Sequence, residues 1–299
     1  MGLFDGLHYG HRTVIKYAVD IAHENNCIEP AVFTFETDTV TSKCSGNLEY
    51  IMSRDLKREM LESLGVRYIY SPDFMNFKNL TAEEFVTLVL NDKLCAQYVI
   101  CGEDFRFGHG ASSGVDDLKK LCQKFGIEVI VIPPVKELGD RRISSTLIRE
   151  YIRQGDVETA NKLLGYPFQF RLPVTYGNQI GRTISFPTIN QIMPKKQILP
   201  KFGVYASKVE FAGMRFLGVT NVGVKPTVGG QHSPLAETFI IDFNGDLYGE
   251  SVKVMLTKFI RPEKKFSGID ELMMQIKSDV ETVKQINISA LKRCCGRNE

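Results

Sequence analysis

The chain has 299 residues, 43% of them hydrophobic, which is enough for about two domains with apolar cores. Its net charge of +2 gives no sign of a nucleic-acid-binding surface, and no apolar run is long enough to span a membrane. The seven cysteines are scattered and odd in number, without a CxxC pair, so we expect a reduced, cytoplasmic protein rather than a disulfide framework.

The first eleven residues combine two histidines with three glycines. His8 and His11 lie just before the amphipathic run 13–24, which predicts a helix. Gly6 and Gly10 let backbone N–H groups approach an anion, and a helix N-terminus favours negative charge. The pattern predicts a phosphate site, with an incidental pair of histidines as the open alternative. A zinc site is less favoured, because no His-Glu-x-x-His and no suitable cysteine pair accompanies the histidines.

Up to about Gly165, predicted strands and helices alternate along the chain. Short apolar runs predict buried strands at 31–35, 68–70, 98–101 and 127–132. One helix between them has an apolar face from Leu56 to Leu64, and a capping box of Thr81 and Glu84 opens another. This alternation indicates a parallel sheet with helices on both faces, in which ligands bind beyond the carboxyl ends of the strands.

From Arg171 onward the pattern consists of strands alone. They are predicted at 174–176, 204–211, 216–219, 239–243 and 252–259. Turn signals separate them, which indicates an antiparallel, barrel-like domain, followed by a helix from Ile269 to about Val283. The change of pattern puts a domain boundary near Tyr166. We therefore expect a first domain over 1–165, a second over 166–288 and a polar tail over 289–299.

Several stretches carry a more specific pattern. In the first half they are Gly2-x-Phe4-Asp5-Gly6-x-His8-x-Gly10-His11, Gly102–Gly108 and Ile143–Arg149. In the second half they are Gly181-Arg182 with Phe186–Asn190, Asn221–Thr227 and the surroundings of Glu237. In this order and spacing, the chain resembles the bacterial bifunctional riboflavin kinase/FAD synthetases over nearly its whole length.

For the first half, the resemblance implies a Rossmann-like nucleotidyltransferase domain that transfers the adenylyl group of ATP to FMN and releases pyrophosphate. His8 and His11 would stabilise the α-phosphoryl group during transfer. The implied ATP-binding and phosphate-binding residues are Gly6, Gly10, Ser144, Ser145, Thr146 and Arg149. The implied flavin or nucleotide pocket contains Asp104, Phe105 and Arg106. A plain helix N-cap at 144–146 and a core position for Phe105 stay open as alternatives.

For the second half, the resemblance implies a six-stranded riboflavin kinase barrel that phosphorylates riboflavin to FMN. Glu237 matches the general base that the alcohol substrate needs, with a solvated strand carboxylate as the alternative. Thr188 and Asn190 offer neutral oxygens two residues apart, suited to Mg²⁺ and phosphate. Gly181, with Gly177, brackets a turn that would admit the ATP phosphates. The expected ligands are riboflavin, FMN and ATP, and the oligomeric state is not predicted.

Three departures from the family pattern keep other functions open. The motif begins at Met1, where relatives have a preceding strand, and Glu36–Thr39 replaces a usual Pro-His-Pro element. Ser185 replaces a usual glycine. The alternatives are a riboflavin kinase with a degenerate adenylyltransferase domain and a non-catalytic flavin-binding or nucleotide-binding regulator. We expect the 299-residue chain to make FMN readily and FAD poorly.

Overall fold

The structure, a computed structural model, describes residues 1–25, 27–35, 49–136, 142–176, 186–226 and 232–295. Its contacts divide the chain into two compact units, Met1–Leu147 and Ile148–Glu299. The domain boundary expected near Tyr166 stays a prediction. Within the described residues, no helix has the length and hydropathy needed to cross a membrane.

The first unit alternates helices with short parallel strands. Its elements are α1 (Tyr9–Glu24), β1 (Ala31–Phe33), α2 (Arg54–Ser63), β2 (Tyr68–Tyr70), α3 (Ala82–Glu84) with a π-helix (Phe85–Lys93), β3 (Tyr98–Gly102), α4 (Val115–Gln123), β4 (Glu128–Ile132) and the start of α5 (Ser145–Gln154). Two short 3₁₀ turns, Phe74–Asn76 and His109–Ala111, lie between them. β1 pairs in parallel with β2, and β3 with β4, which confirms the predicted α/β class.

Local signals in the sequence explain where these helices begin and end. Thr81 and Glu84 form the predicted capping box, and Gly65 follows α2 with φ +93°. α1 begins four residues earlier than the predicted start at 13, because the His8 side chain caps it by accepting from the His11 N–H.

The second unit is an antiparallel sheet with helices packed against it. Its elements are the rest of α5, α6 (Val157–Leu164), β5 (Phe168–Pro173), β6 (Thr188–Ile192), β7 (Gly203–Phe211), β8 (Met214–Pro226), β9 (His232–Ile240), β10 (Ser251–Arg261) and α7 (Ile269–Cys295). The strand order is β5-β10-β7-β8-β9-β6. A bridge between Thr175 and Asn190 links the two edges, so the sheet curls into the predicted barrel-like form.

Several predicted boundaries in this unit are wrong. The strand expected at 174–176 lies earlier as β5, where alternate residues 168 and 170 are fully buried against β10. The strand expected at 239–243 ends at Ile240, because Asp242 adopts φ +59° in a turn. The last helix continues to Cys295, well beyond the predicted end near Val283.

One helix before the strands and one helix after them are bonded to this sheet. Asp156 caps α6 and Gly165 ends it in the left-handed conformation, and both residue types favour these positions. The Asn161 side chain donates to the Leu256 carbonyl and accepts from the Phe168 N–H, so α6 is bonded to β10 and β5. At the other end, a bidentate ion pair between Arg261 and the buried Asp279 attaches α7.

Candidate active sites

The loop before α1 is folded tightly by left-handed residues. Phe4, Gly6 and Leu7 have φ values of 52°, 75° and 38°. A Cβ on Gly6 would lie 3.0 Å from Ile51 Cδ1, so the position requires glycine for both conformation and space. The carboxylate of Asp5 is buried and accepts from the Ile51 N–H at 2.9 Å. These contacts fix the loop that leads to His8.

The two histidines lie against each other at the start of α1. Their ring centroids are 3.6 Å apart with the planes 19° from parallel. Nδ1 of His8 accepts from the His11 N–H at 3.4 Å, and a Cβ on Gly10 would lie 3.2 Å from His8 Cε1. Nδ1 of His11 is buried and has no hydrogen-bond partner in the described part of the chain. A buried polar atom without a partner is typical of a ligand site.

Cationic groups surround this pair. Burial first, then the charge of Arg142, lowers the pKa of His8 to about 4. Burial first, then the charges of His8 and Lys57, holds the pKa of His11 well below its usual value. Both rings are therefore neutral near pH 7. The positive charges that depress these pKa values also make the site favourable for a polyphosphate.

Lys57 on α2 is a functional candidate that the sequence analysis missed. Its buried Nζ donates to the Leu3 carbonyl and Thr34 Oγ1, each at 2.7 Å, and to the Phe35 carbonyl at 3.3 Å. Burial lowers the pKa of Lys57 to about 8. The side chain therefore ties the histidine-bearing loop to the carboxyl end of β1. Its spacing of four from the apolar Leu61 was the available signal for a buried position.

The serines at the start of α5 have structural partners. Ser144 Oγ accepts from the Leu147 N–H at 3.3 Å, which is the N-cap that the sequence left open. Ser145 Oγ donates to the Asp5 carbonyl at 2.9 Å, which brings the helix start to the histidine loop. Thr146 is exposed, and Arg149 is buried one turn later on α5.

The expected pocket residues follow β3. The Asp104 carboxylate lies 2.7 Å from Arg142 Nη2, and both charges act on His8. Phe105 is half-buried and its ring lies parallel to that of Phe107, with centroids 5.8 Å apart. Phe107 is buried in the core, and Arg106 is exposed. Asp104 therefore lies near the histidine pair, and it forms an ion pair with Arg142, which the sequence analysis did not single out.

In the second unit, a polar row crosses three strands. Glu237 on β9 lies directly opposite Asn190 on β6 and Asn221 on β8. Residues directly opposite each other in a sheet share a face, so the three side chains lie together. Thr188 is two residues before the buried Asn190 and shares that face. The structure therefore brings together three of the residues predicted for the kinase site.

Asn221 and Glu263 extend this polar row and were not predicted as site residues. Asn221 Nδ2 donates to Glu263 Oε1 at 3.3 Å. A Cβ on Gly223 would meet the same carboxylate, so glycine at this position leaves room for it. The motif 221–227 carried the available signal for Asn221. Gly181, like Gly177, Ser185 and 36–39, lies outside the described residues.

Comparisons with known proteins agree with this arrangement. The riboflavin kinase family model matches residues 164–287, and the FAD synthetase model matches residues 1–147. A bifunctional riboflavin kinase/FMN adenylyltransferase of Listeria monocytogenes is 35% identical, covering 93% of this chain and 88% of that protein.

The Escherichia coli protein of the same name is 34% identical, covering 95% and 91%. A crystal structure titled as a macrolide-efflux protein from Streptococcus pneumoniae has a TM-score of 0.83 and 34% identity, covering 95% of this chain and 92% of that one. The chain belongs to the family of bifunctional riboflavin kinase/FMN adenylyltransferases.

Proposed function

We propose that the chain phosphorylates riboflavin to FMN in its second unit and adenylylates FMN to FAD in its first, with ATP as the donor in both reactions. The observation that carries the proposal is that both halves of the family pattern fold into compact polar sites. One is the stacked pair of His8 and His11. The other is the row of Asn190, Glu237 and Asn221.

In the first unit, adenylyl transfer requires positioning and charge neutralisation more than covalent catalysis. Because Nδ1 of His8 accepts a hydrogen bond, the proton of the neutral ring is on Nε2, where it is a donor to a phosphoryl oxygen. An arriving phosphate favours the imidazolium form and raises the pKa of both rings.

The remaining predicted residues surround this pair in the proposal. Backbone N–H groups at the first turn of α5, from Ser144 to Thr146, and Arg149 take the outer phosphates, with Gly6 and Gly10 giving space at the loop. Since the Ser144 and Ser145 hydroxyls already hold the helix and the loop, their contribution is to position these N–H groups. Asp104, Phe105 and Arg106 border the flavin or the nucleotide.

In the second unit, Glu237 takes the proton of the riboflavin 5′-hydroxyl. The hydroxyl oxygen then attacks the γ-phosphorus of ATP, and ADP leaves. Asn190 and Asn221 flank the carboxylate on the same sheet face and hold the reacting groups in place. Gly181 borders the ATP phosphates, as the family pattern implies.

A divalent cation fits the oxygen donors of this face. Thr188 and Asn190 present a hydroxyl and an amide oxygen on one side of β6, and hard cations such as Mg²⁺ prefer oxygen ligands. We assign Mg²⁺ to these two residues together with the ATP phosphates. When bound, it neutralises phosphate charge. The cytoplasmic location expected from the cysteine usage is part of the same proposal.

A riboflavin kinase with weak adenylyl transfer is the second candidate. The observation that favours it is that β1 and β3, which border the histidine loop, each pair on one side only among the described strands. An assay of the purified chain with riboflavin, ATP and Mg²⁺, followed by chromatographic separation of the flavins, decides between the two. FMN followed by FAD supports the bifunctional enzyme. FMN without FAD supports the second candidate. If neither FMN nor FAD forms, both candidate functions are overturned.

A further inference from the structure

β6 is one edge of the six-stranded sheet in the second unit, and β5 is the other. Among the described strands, β6 pairs only with β9, and β5 pairs only with β10. β6 carries Thr188 and Asn190, to which the proposed function assigns the cation. The position of these two ligands therefore depends on what holds the outer side of β6. Glu237 differs from them, because its strand β9 is paired on both sides, with β6 and with β8.

Thr175, which follows β5, contacts this outer side at one point. Its N–H donates to the Asn190 carbonyl at 2.8 Å, and its Oγ1 donates to the same carbonyl at 3.2 Å. Because both bonds end on one carbonyl, they attach β6 to the end of β5 at a single position. A second attachment is needed to fix the orientation of the outer side of β6.

The side chain of Gln191 provides this second attachment from the other face of β6. Gln191 follows Asn190, and successive side chains of a strand point to opposite faces. It is fully buried on the face that it shares with Ala236, its partner on β9. Nε2 donates to the carbonyl of Leu172 on β5 at 2.7 Å and to that of Val252 on β10 at 2.8 Å. We name the bonds of Thr175 and Gln191 between the two edges the seam.

The chemistry of the Gln191 amide supports a role beyond packing. Both of its partners are carbonyl oxygens, so the atom that faces them is the amide nitrogen with its two protons. The other amide atom, Oε1, is buried and has no hydrogen-bond partner in the described part of the chain. An unsatisfied buried acceptor lowers stability, and an apolar side chain would avoid that cost. The contribution of Gln191 therefore comes from the two bonds of its nitrogen.

We propose that Gln191 is a positioning residue of the kinase site, which holds β6 across the seam and so fixes where Thr188 and Asn190 present their oxygens. This inference rests on the proposed riboflavin kinase function of the second unit. Binding of Mg²⁺ and ATP depends on the seam more than proton transfer does, because Glu237 is also held by β8. Loss of the Gln191 bonds therefore acts on the KM for Mg-ATP more than on kcat.

The test compares Gln191→Met with the unchanged 299-residue chain. Methionine is similar in length but has no donor, so the two bonds to the carbonyls are lost. Hydrogen exchange at the Thr175 amide measures the seam without any substrate, because this N–H donates to the Asn190 carbonyl. Exchange is expected to accelerate at least about tenfold. In riboflavin phosphorylation, the KM for Mg-ATP is expected to rise at least about tenfold, with kcat changed by less than about threefold.

Ser207→Ala is the matched control variant. Ser207 is buried in the same sheet and bonds to Thr220 Oγ1 at 2.8 Å, on β7 and β8 rather than at the seam. This variant is expected to lower Tm, while exchange at Thr175 and the KM for Mg-ATP stay unchanged. If Gln191→Met does not fold, the same measurements are made on Gln191→Asn. Its amide is one methylene shorter, so both quantities are expected to change in the same direction.

Three results would overturn the proposal. They are unchanged exchange at Thr175 in Gln191→Met, faster exchange with an unchanged KM for Mg-ATP, and an equal rise of this KM in Ser207→Ala, which would trace the effect to stability alone. If the unchanged chain phosphorylates no riboflavin, the proposed function fails. The dissociation constant of Mg-ATP, measured by calorimetry, then replaces the KM with the same expected change, and an equal constant in Gln191→Met, or no binding at all, would overturn the role of Gln191.

Discussion

Replacing Lys57 by Met tests whether this buried ammonium positions the histidine loop. The change removes the hydrogen bonds to the Leu3 carbonyl and to Thr34 Oγ1. Thr34 Oγ1 still donates to the Leu3 carbonyl at 2.9 Å, so both oxygens keep a partner, and the loss is that of two hydrogen bonds to a charged group, about 3–6 kcal/mol. Burial lowers the pKa of Lys57 from 10.5 to about 8, so removing this buried charge recovers about 3 kcal/mol of unfolding free energy. The net loss of unfolding free energy is therefore small, between about 0 and 3 kcal/mol.

The expected effect on adenylyl transfer is much larger. Without Lys57, the loop from Leu3 to His8 is held more weakly to the end of β1, by the bonds from Thr34 Oγ1 to the Leu3 carbonyl and from the Gly2 N–H to the Phe33 carbonyl. A displacement of about 1 Å at a reacting group costs about 10²-fold in rate. The assay follows FAD formation from FMN and ATP, with phosphorylation of riboflavin by the same preparation as an internal control. Lys16→Met is the matched variant, because Lys16 is exposed and pairs with Asp20 four residues later on the same helix. Unchanged FAD formation, or an equal loss of both activities, would refute the reasoning.

The other predictions concern both units. Glu237→Gln is expected to lower the rate of riboflavin phosphorylation by a factor of about 10²–10⁴ while ATP still binds. Near-normal turnover would show that Glu237 is not the general base. Thr188→Ala combined with Asn190→Ala is expected to raise the KM for ATP without unfolding the sheet, and an unchanged KM counts against the metal site. Burial lowers the pKa of folded His8 to about 4, whereas unfolded His8 has a pKa of about 6.5. As the pH falls between these two values, the unfolded state binds a proton that the folded state does not. The first unit is therefore expected to lose up to about 3 kcal/mol of its free energy of unfolding. Denaturant titrations at the two pH values should show a smaller loss of unfolding free energy for His8→Asn than for the unchanged protein. For the exposed His23→Asn, the loss should equal that of the unchanged protein. A fragment that begins at Gly165 is expected to fold and to phosphorylate riboflavin. Its Tm is expected to be lower than that of a fragment that begins at Ile148, because it lacks the hydrogen bonds of Asn161 to β5 and β10. Equal Tm values would show that α6 is dispensable.

Local signals carried most of the fold. The apolar runs predicted β1 to β4, since strands buried on both faces are apolar at consecutive positions. The Thr81 and Glu84 capping box and the Gly165 stop depend only on neighbouring residues, and both are present. The shift of β5 and β9 has a different cause. Strand ends are set by pairing with distant strands, which a local pattern does not contain.

The candidate sites show the same division. The motif placed His8 beside His11, and the resemblance placed Glu237 near Asn190. Lys57, Arg142 and Glu263 were missed, because each reaches its site through contacts between residues far apart in sequence. No local spacing relates Lys57 to Leu3, or Glu263 to Asn221, although the structure bonds both pairs.

The central claim is that two separate sites act in sequence on the flavin, and one mixing experiment tests it most directly. Glu237→Gln and His11→Ala are each incubated with riboflavin, ATP and Mg²⁺, alone and together, and the flavins are separated. Alone, Glu237→Gln is expected to leave riboflavin largely unchanged, and His11→Ala is expected to stop at FMN. Together they are expected to form FAD, because one supplies the FMN that the other adenylylates. A mixture that yields no FAD, or a His11→Ala variant that makes no FMN, would contradict the account.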